Sequence, residues 1–307
     1  MRQDRIQPLP ESQVLEMPPF FAPGPASDQH YVNLRDGHAP IVAEARAFVE
    51  ELWAAYAQYL DPDVAERARG AYLSSFWELY LVHVLHSRGI ALFPRLRRTP
   101  ARQGPDLLAE HPRIWIEAVA PGPGEGPDAV PPLSPGVAFR VPDEQMKLRL
   151  RSAIEEKRGR INAYRERGWV PETEPVVVAI NGSRITFAQL ELTIPRVIRC
   201  VLPFGYEQFA IDRSSLEVVE RSYTYQRETI KRSGEGVPTD VFLDPGYSMI
   251  SALLYSSADE VNRPPSPGAE IVLVRNPLAA APLPDAWLPV GWEYWVEGNA
   301  LHRRQYE

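Results

Sequence analysis

In GPDLLAEHPRIWIEAVA, residues 104–120, two apolar runs flank a polar turn, and each run carries one carboxylate. A buried charge is costly unless something compensates it, so this hairpin restricts the fold more than any other stretch. With Glu110 to Arg113 as the turn, Ala109 faces Ile114, Leu108 faces Trp115, Leu107 faces Ile116, and Asp106 faces Glu117. Opposed side chains have Cβ atoms about 4.5–5.5 Å apart, where like charges repel. A bound divalent cation would remove the repulsion, because Mg²⁺ favours carboxylate oxygens. Solvation of both acids, or pairing with Arg97 or Arg98, is the alternative.

Around the hairpin the chain reads as mixed helix and strand. Residues 1–40, with PLP, PPFF and APGPA, form an extended or irregular arm anchored by Phe20 and Phe21. Residues 41–307 form a single α/β domain. Apolar spacing predicts a helix over 41–59, and Asp61-Pro62 has the form of an N-cap followed by proline at N1. A second helix, over 71–89, is apolar on nearly all sides and stops at Gly89. A Pro/Gly-rich loop spans 121–143 and a long helix 144–166. Strands are expected at 175–182, 197–204, 249–256 and 270–276, with a last hairpin turning at Gly298-Asn299.

Two more residues bear on the acidic pair. Glu78, in SSFWELYLVHVL, sits among large apolar side chains with no Lys or Arg within a helical turn. In the long helix the apolar stripe runs Leu150, Ile154, Ile161, Tyr164, and Lys157 fills the missing step. The stripe therefore directs one amine towards the buried side, while Arg158, Arg160 and Arg165 point elsewhere. A surface Glu and a snorkelling lysine are the plainer alternatives.

These residues resemble the PD-(D/E)XK, or restriction-endonuclease-like, nuclease superfamily. The match is Glu78 on the first core helix, Pro105-Asp106 opening a strand and Glu117 on the next, over about residues 70–182. The family pattern continues with Glu, any residue, Lys. Here it is Glu117-Ala118-Val119, so that lysine is absent from its usual place. Some branches supply it from the following helix, and IEEKRGRINAY before the apolar VVVAING is similar to such a branch. The resemblance implies a mixed central sheet flanked by helices, with added C-terminal strands. It implies Mg²⁺ or Mn²⁺ held by Asp106, Glu117 and Glu78, with Lys157 completing a phosphodiester-hydrolysing centre. Nucleic acid, most simply DNA, would be the substrate, and double-strand cutting would imply a homodimer. Basic residues near that centre, Arg97, Arg98, Arg102, Lys147 and Arg151, together with Gln145, are the expected substrate contacts.

The net charge of −7 means that any nucleic-acid surface must be a local patch. One cysteine, Cys200, excludes an intrachain disulfide and suits a reducing cytoplasm. No apolar run reaches the length of a membrane span. His83 and His86 lack a third metal ligand, GPGEG at 122–126 lacks a following Gly-Lys-Ser, and residues 246–250 miss a nucleophile elbow. A catalytically silent relative acting as a binding or scaffolding module is the main competing reading. A glycosidase using Glu78 and Glu117 is a lesser one.

Overall fold

The computed structural model describes residues 18–98, 104–134, 136, 138 and 140–306. Helices α1 (Gln29–Asp36), α2 (Pro40–Tyr56), α3 (Val64–Ala68) and α4 (Tyr72–Ser87) precede the hairpin β1 (Leu107–Ala109) and β2 (Ile114–Val119). Next come α5 (Asp143–Glu166), β3 (Val176–Asn181) and the short α6 (Arg196–Arg199). Two hairpins follow, β4 (Phe204–Ile211) with β5 (Val218–Tyr225), and β6 (Glu228–Ile230) with β7 (Gly236–Pro238). The chain closes with β8 (Ala252–Ser256), β9 (Val272–Arg275), β10 (Trp292–Glu297) and β11 (Ala300–Gln305).

The architecture is α/β, built on a mixed seven-stranded sheet ordered β1-β2-β3-β8-β9-β10-β11. Strands β2, β3 and β8 run parallel to one another, and β1 is antiparallel to β2 at the edge. Every residue of β3 is buried, because the strand has neighbours on both sides and helices over both faces. On one face Leu107, Ile116, Val177 and Leu254 pack with α1 to α4. On the other, Leu108, Trp115, Val178 and Leu253 pack with α5 and α6. Among the described residues no helix is long and apolar enough to cross a membrane.

Helix α4 is central, as its composition requires, and its Trp77 indole donates to the carbonyl of Ala179 on β3 at 3.0 Å. Its end is closed by Gly89 at φ +73°, a left-handed position that favours glycine. The described part of the arm is tied down by Phe20 and Phe21. Both rings are buried, and their backbone N–H groups donate to Glu50 at 2.9 Å each. Residues 29–36 of the expected irregular arm are helical instead, because the Asp28 carboxylate caps the first turn of α1. The Asp61-Pro62 signal also misleads. The helix starts at Val64, and Asp61 accepts a bond from the Arg95 Nε at 2.8 Å.

The strand expected at 197–204 is largely helix and turn, with only Phe204 in a strand. The reason lies in Arg196 and Arg199, which both converge on Asp143 with three bonds of 2.8 Å. Residues three apart share a helix face but take opposite faces of a strand. The two guanidinium groups hold the Asp143 carboxyl at about 2, against the penalty of burial. Asp143→Ala is expected to destabilise the protein by about 3 kcal/mol, since two nearly buried arginines lose their main partner. A urea melt indistinguishable from wild type would contradict this.

Candidate active site

The hairpin register is Leu107–Ile116, Leu108–Trp115 and Ala109–Ile114, as counted from the sequence. One step further, Asp106 stands at the mouth of β1 opposite Glu117. Its Oδ2 accepts the Ala118 backbone N–H at 2.7 Å. Arg95 and Arg98 set the backbone here, both donating to the Pro105 carbonyl at 2.6 Å and also to the Asp106 carbonyl. Strand alternation puts Glu117 on the same face as Trp115, the face covered by α5.

Lys157 reaches Glu117 from that helix. Its Nζ donates to Oε1 at 2.8 Å, with Lys157 4 % and Glu117 1 % exposed. Arg160, one helical turn further on, places Nη1 3.5 Å from the same oxygen while remaining half exposed. The other oxygen, Oε2, is buried with no hydrogen-bond partner. Burial and the neighbouring charge of Asp106 raise the Glu117 carboxyl to about 7, although Lys157 and Arg160 pull it down.

Glu78 departs from the expectation. Both of its oxygens are held by Arg67, at 3.0 and 3.1 Å. It lies on α4, across the sheet from α5. Burial, followed by the charge of Asp106, raises it to about 7, so the two acids are close enough to repel. Among the described residues no three His, Cys, Asp or Glu side chains form a group that would hold one ion. As ligands Asp106 and Glu117 therefore stand without Glu78, whose carboxylate is committed to Arg67.

Most of the expected substrate contacts are also corrected. Arg98 is buried between backbone carbonyls and the Trp115 ring, and its pKa falls to about 9 through burial and the nearby Arg95. Lys147 is 1 % exposed and donates to Glu144 at 2.7 Å. Arg151 is buried against the Pro238 carbonyl and the Tyr247 hydroxyl. Lys147, Arg151 and the half-buried Gln145 precede Lys157 by ten, six and twelve residues, or roughly 15, 9 and 18 Å along the helix. Arg97 is exposed as expected, and Arg102 lies outside the described residues.

Sequence reasoning missed Arg67 and the Arg95–Asp61 pair, and it directed Arg160 away from the side of Lys157, whereas Arg160 reaches Glu117. Arg160 was discoverable, since it follows Lys157 at i+3 and shares its side of the helix. Arg67 was not, because its partner is eleven residues away on another helix. Cys200 is a buried core thiol, and Trp287 closes the first core layer.

Neither protein-family models nor curated proteins nor solved structures match the chain.

The donor set suits a hard divalent cation. Glu117 presents a buried carboxylate oxygen without a partner, and Asp106 has one oxygen engaged by a single backbone N–H. The charge of Asp106 raises the proton affinity of Glu117, a repulsion that a cation shared by the two acids would relieve.

Proposed function

We propose that the chain is a metal-dependent nuclease with a restriction-endonuclease-like core, hydrolysing phosphodiester bonds of DNA. The observation that carries this reading is the buried Glu117, with one oxygen on Lys157 and the other unpartnered beside Asp106. Asp106 and Glu117 would hold Mg²⁺ or Mn²⁺. The bound ion would supply Lewis-acid polarisation of the phosphate and a water of lowered pKa. Lys157 orients Glu117 and sets a positive charge where negative charge would develop on the phosphoryl oxygens. Arg97, exposed on the segment before β1, and Arg160, half exposed and shared between Glu117 and Glu156, would meet a phosphate backbone.

The test is incubation of the full chain with plasmid DNA and with RNA, in Mg²⁺, in Mn²⁺ and in EDTA. Metal-dependent DNA cutting that disappears in Asp106→Ala is the expected result. Cutting that survives both Asp106→Ala and Lys157→Ala would sink the assignment. A thermal readout is independent of turnover. Because a cation binds ionised carboxylates and Glu117, raised to about 7, must lose its proton to receive it, Mg²⁺ should raise the Tm more at pH 8 than at pH 5.5. An equal shift at both values would argue against ligation by Glu117.

The near-complete burial of Glu117 and Lys157 favours a second reading, a silent relative that uses the pair as internal structure. Calorimetry showing no Mg²⁺ or Mn²⁺ binding would support it.

A further inference from the structure

Beyond the carboxyl ends of the parallel strands β2, β3 and β8, the surface opens into a polar cleft of about 570 Å³. Pro123, Ser183 and Asp259 line it from the segments that follow those strands, and Asp28 and His30 from the start of α1. Crevices in this position are where open α/β sheets commonly receive ligands. Neither Asp106 nor Glu117 lines it.

His30 is held in one orientation. Its Nε2 lies 2.6 Å from Oε1 of Glu260, a carboxylate 1 % exposed, and its ring stacks on Tyr72 at 5.1 Å and 11°. The Tyr72 hydroxyl also lies beside Glu260. Nδ1 is left without a partner among the described residues. The bond to Glu260, and the charges of Glu260, Asp28 and Asp259, favour the imidazolium and outweigh its partial burial.

Of the acidic groups facing this ring, Asp28 and Asp259 are engaged as acceptors, while Glu260 gives Oε1 to His30 and keeps Oε2 buried without a partner. Asp28 takes the backbone N–H groups of His30, Tyr31 and Tyr72. Asp259 takes those of Val261 and Asn262. The donors are not engaged. Ser183 Oγ is buried with no partner, and the exposed guanidinium of Arg184 has no hydrogen bond or ion pair among the described residues. Buried polar groups normally find partners. A hydroxyl, an imidazole N–H and a guanidinium left open around one cleft call for an acceptor ligand.

We propose that this cleft binds a phosphate monoester group, received by His30 Nδ1, the Arg184 guanidinium and the Ser183 hydroxyl. A dianion matches the two cations. The nearby Asp28 and Asp259 oppose loose accumulation of anions, so recognition rests on directed hydrogen bonds. The proposal does not depend on the nuclease reading. The phosphate would come from a phosphorylated small molecule or from the 5′-phosphate end of a nucleic acid.

The experiment is titration of the full chain with sulfate and with inorganic phosphate, read from the His30 imidazole NMR signals. Sulfate stays dianionic throughout, so its affinity should fall as pH rises through the raised folded pKa of His30 and the imidazolium is lost. Arg184→Ala, a surface change, should weaken binding about tenfold. His30→Gln, titrated with sulfate by calorimetry alongside the wild type, should remove the pH dependence. Tighter binding of a 5′-phosphorylated oligonucleotide than of its unphosphorylated form would identify nucleic-acid ends as the source. Equal affinity for the two, with sulfate still bound, would identify small phosphorylated molecules. Imidazole signals unmoved by sulfate and phosphate at every pH, or wild-type affinity in Arg184→Ala, would overturn the proposal.

Discussion

Lys157→Ala is expected to lower the proposed DNA cleavage on the order of 10²–10³-fold, the usual cost of removing one preorganised charge from a reacting centre. The same change should reduce stability by about 2–3 kcal/mol at pH 7. Removing one partner of a buried ion pair ordinarily costs about 3–5 kcal/mol, because the other charge is stranded. Glu117 has an escape from the upper end of that range. Its carboxyl already titrates at about 7, and without the amine 2.8 Å away it would rise further and take up a proton. Adding Glu117→Gln to Lys157→Ala should therefore restore part of the stability and none of the cleavage, a non-additivity expected of residues in contact. Denaturant melts of both single variants and the double variant, with plasmid cleavage on the same preparations, would check both halves. A Lys157→Ala protein with wild-type stability would mean that the pair does not bear on folding. Wild-type cleavage would remove Lys157 from the centre.

Stability should peak near pH 4 and decline towards pH 8. Glu117 and Glu78 carry folded pKa values of about 7, against an ordinary value of 4.5. Between those limits the folded chain keeps protons that the unfolded chain has released, so each rise in pH favours unfolding. Over that interval one such group accounts for up to about 3 kcal/mol. The two together should give less than double, because both respond to the same Asp106 charge. His30 acts in the same direction. Its folded pKa is raised, so the stability it contributes is present below about 6.5 and is lost as pH rises through the folded value. The acid side is set by Asp143, whose pair with Arg196 and Arg199 contributes fully above 3.8 and fades as pH falls towards about 2. Urea melts from about pH 3 to pH 9 would map the curve. Glu117→Gln should flatten the decline above pH 5, and a wild-type profile already flat from pH 5 to pH 8 would contradict the assignment.

The site was legible to the extent that it depends on short-range order. The register of β1 and β2 follows from counting around a four-residue turn, which is why the opposition of Asp106 and Glu117 is legible in the sequence. The burial of Lys157 follows from helical periodicity, because it fills a gap in an otherwise apolar stripe. The last hairpin turned where Gly298-Asn299 indicated. The unpredicted β4–β5 hairpin had a usable signal as well, in the β-branched and aromatic run VVERSYTY of Val218–Tyr225.

What sequence alone determined was periodicity and local pairing: which residues of a helix or strand share a face, where turns fall, and which charged groups head towards the interior. These depend on neighbours a few positions away. Which charge meets which partner was decided only by tertiary structure. Arg67 takes Glu78, Arg98 turns into backbone carbonyls, and Arg196 and Arg199 fold a strand-like run into a helix around Asp143. The physical reason is that a buried ion must find its counter-ion wherever packing places one, and that distance in space has no counterpart in spacing along the chain.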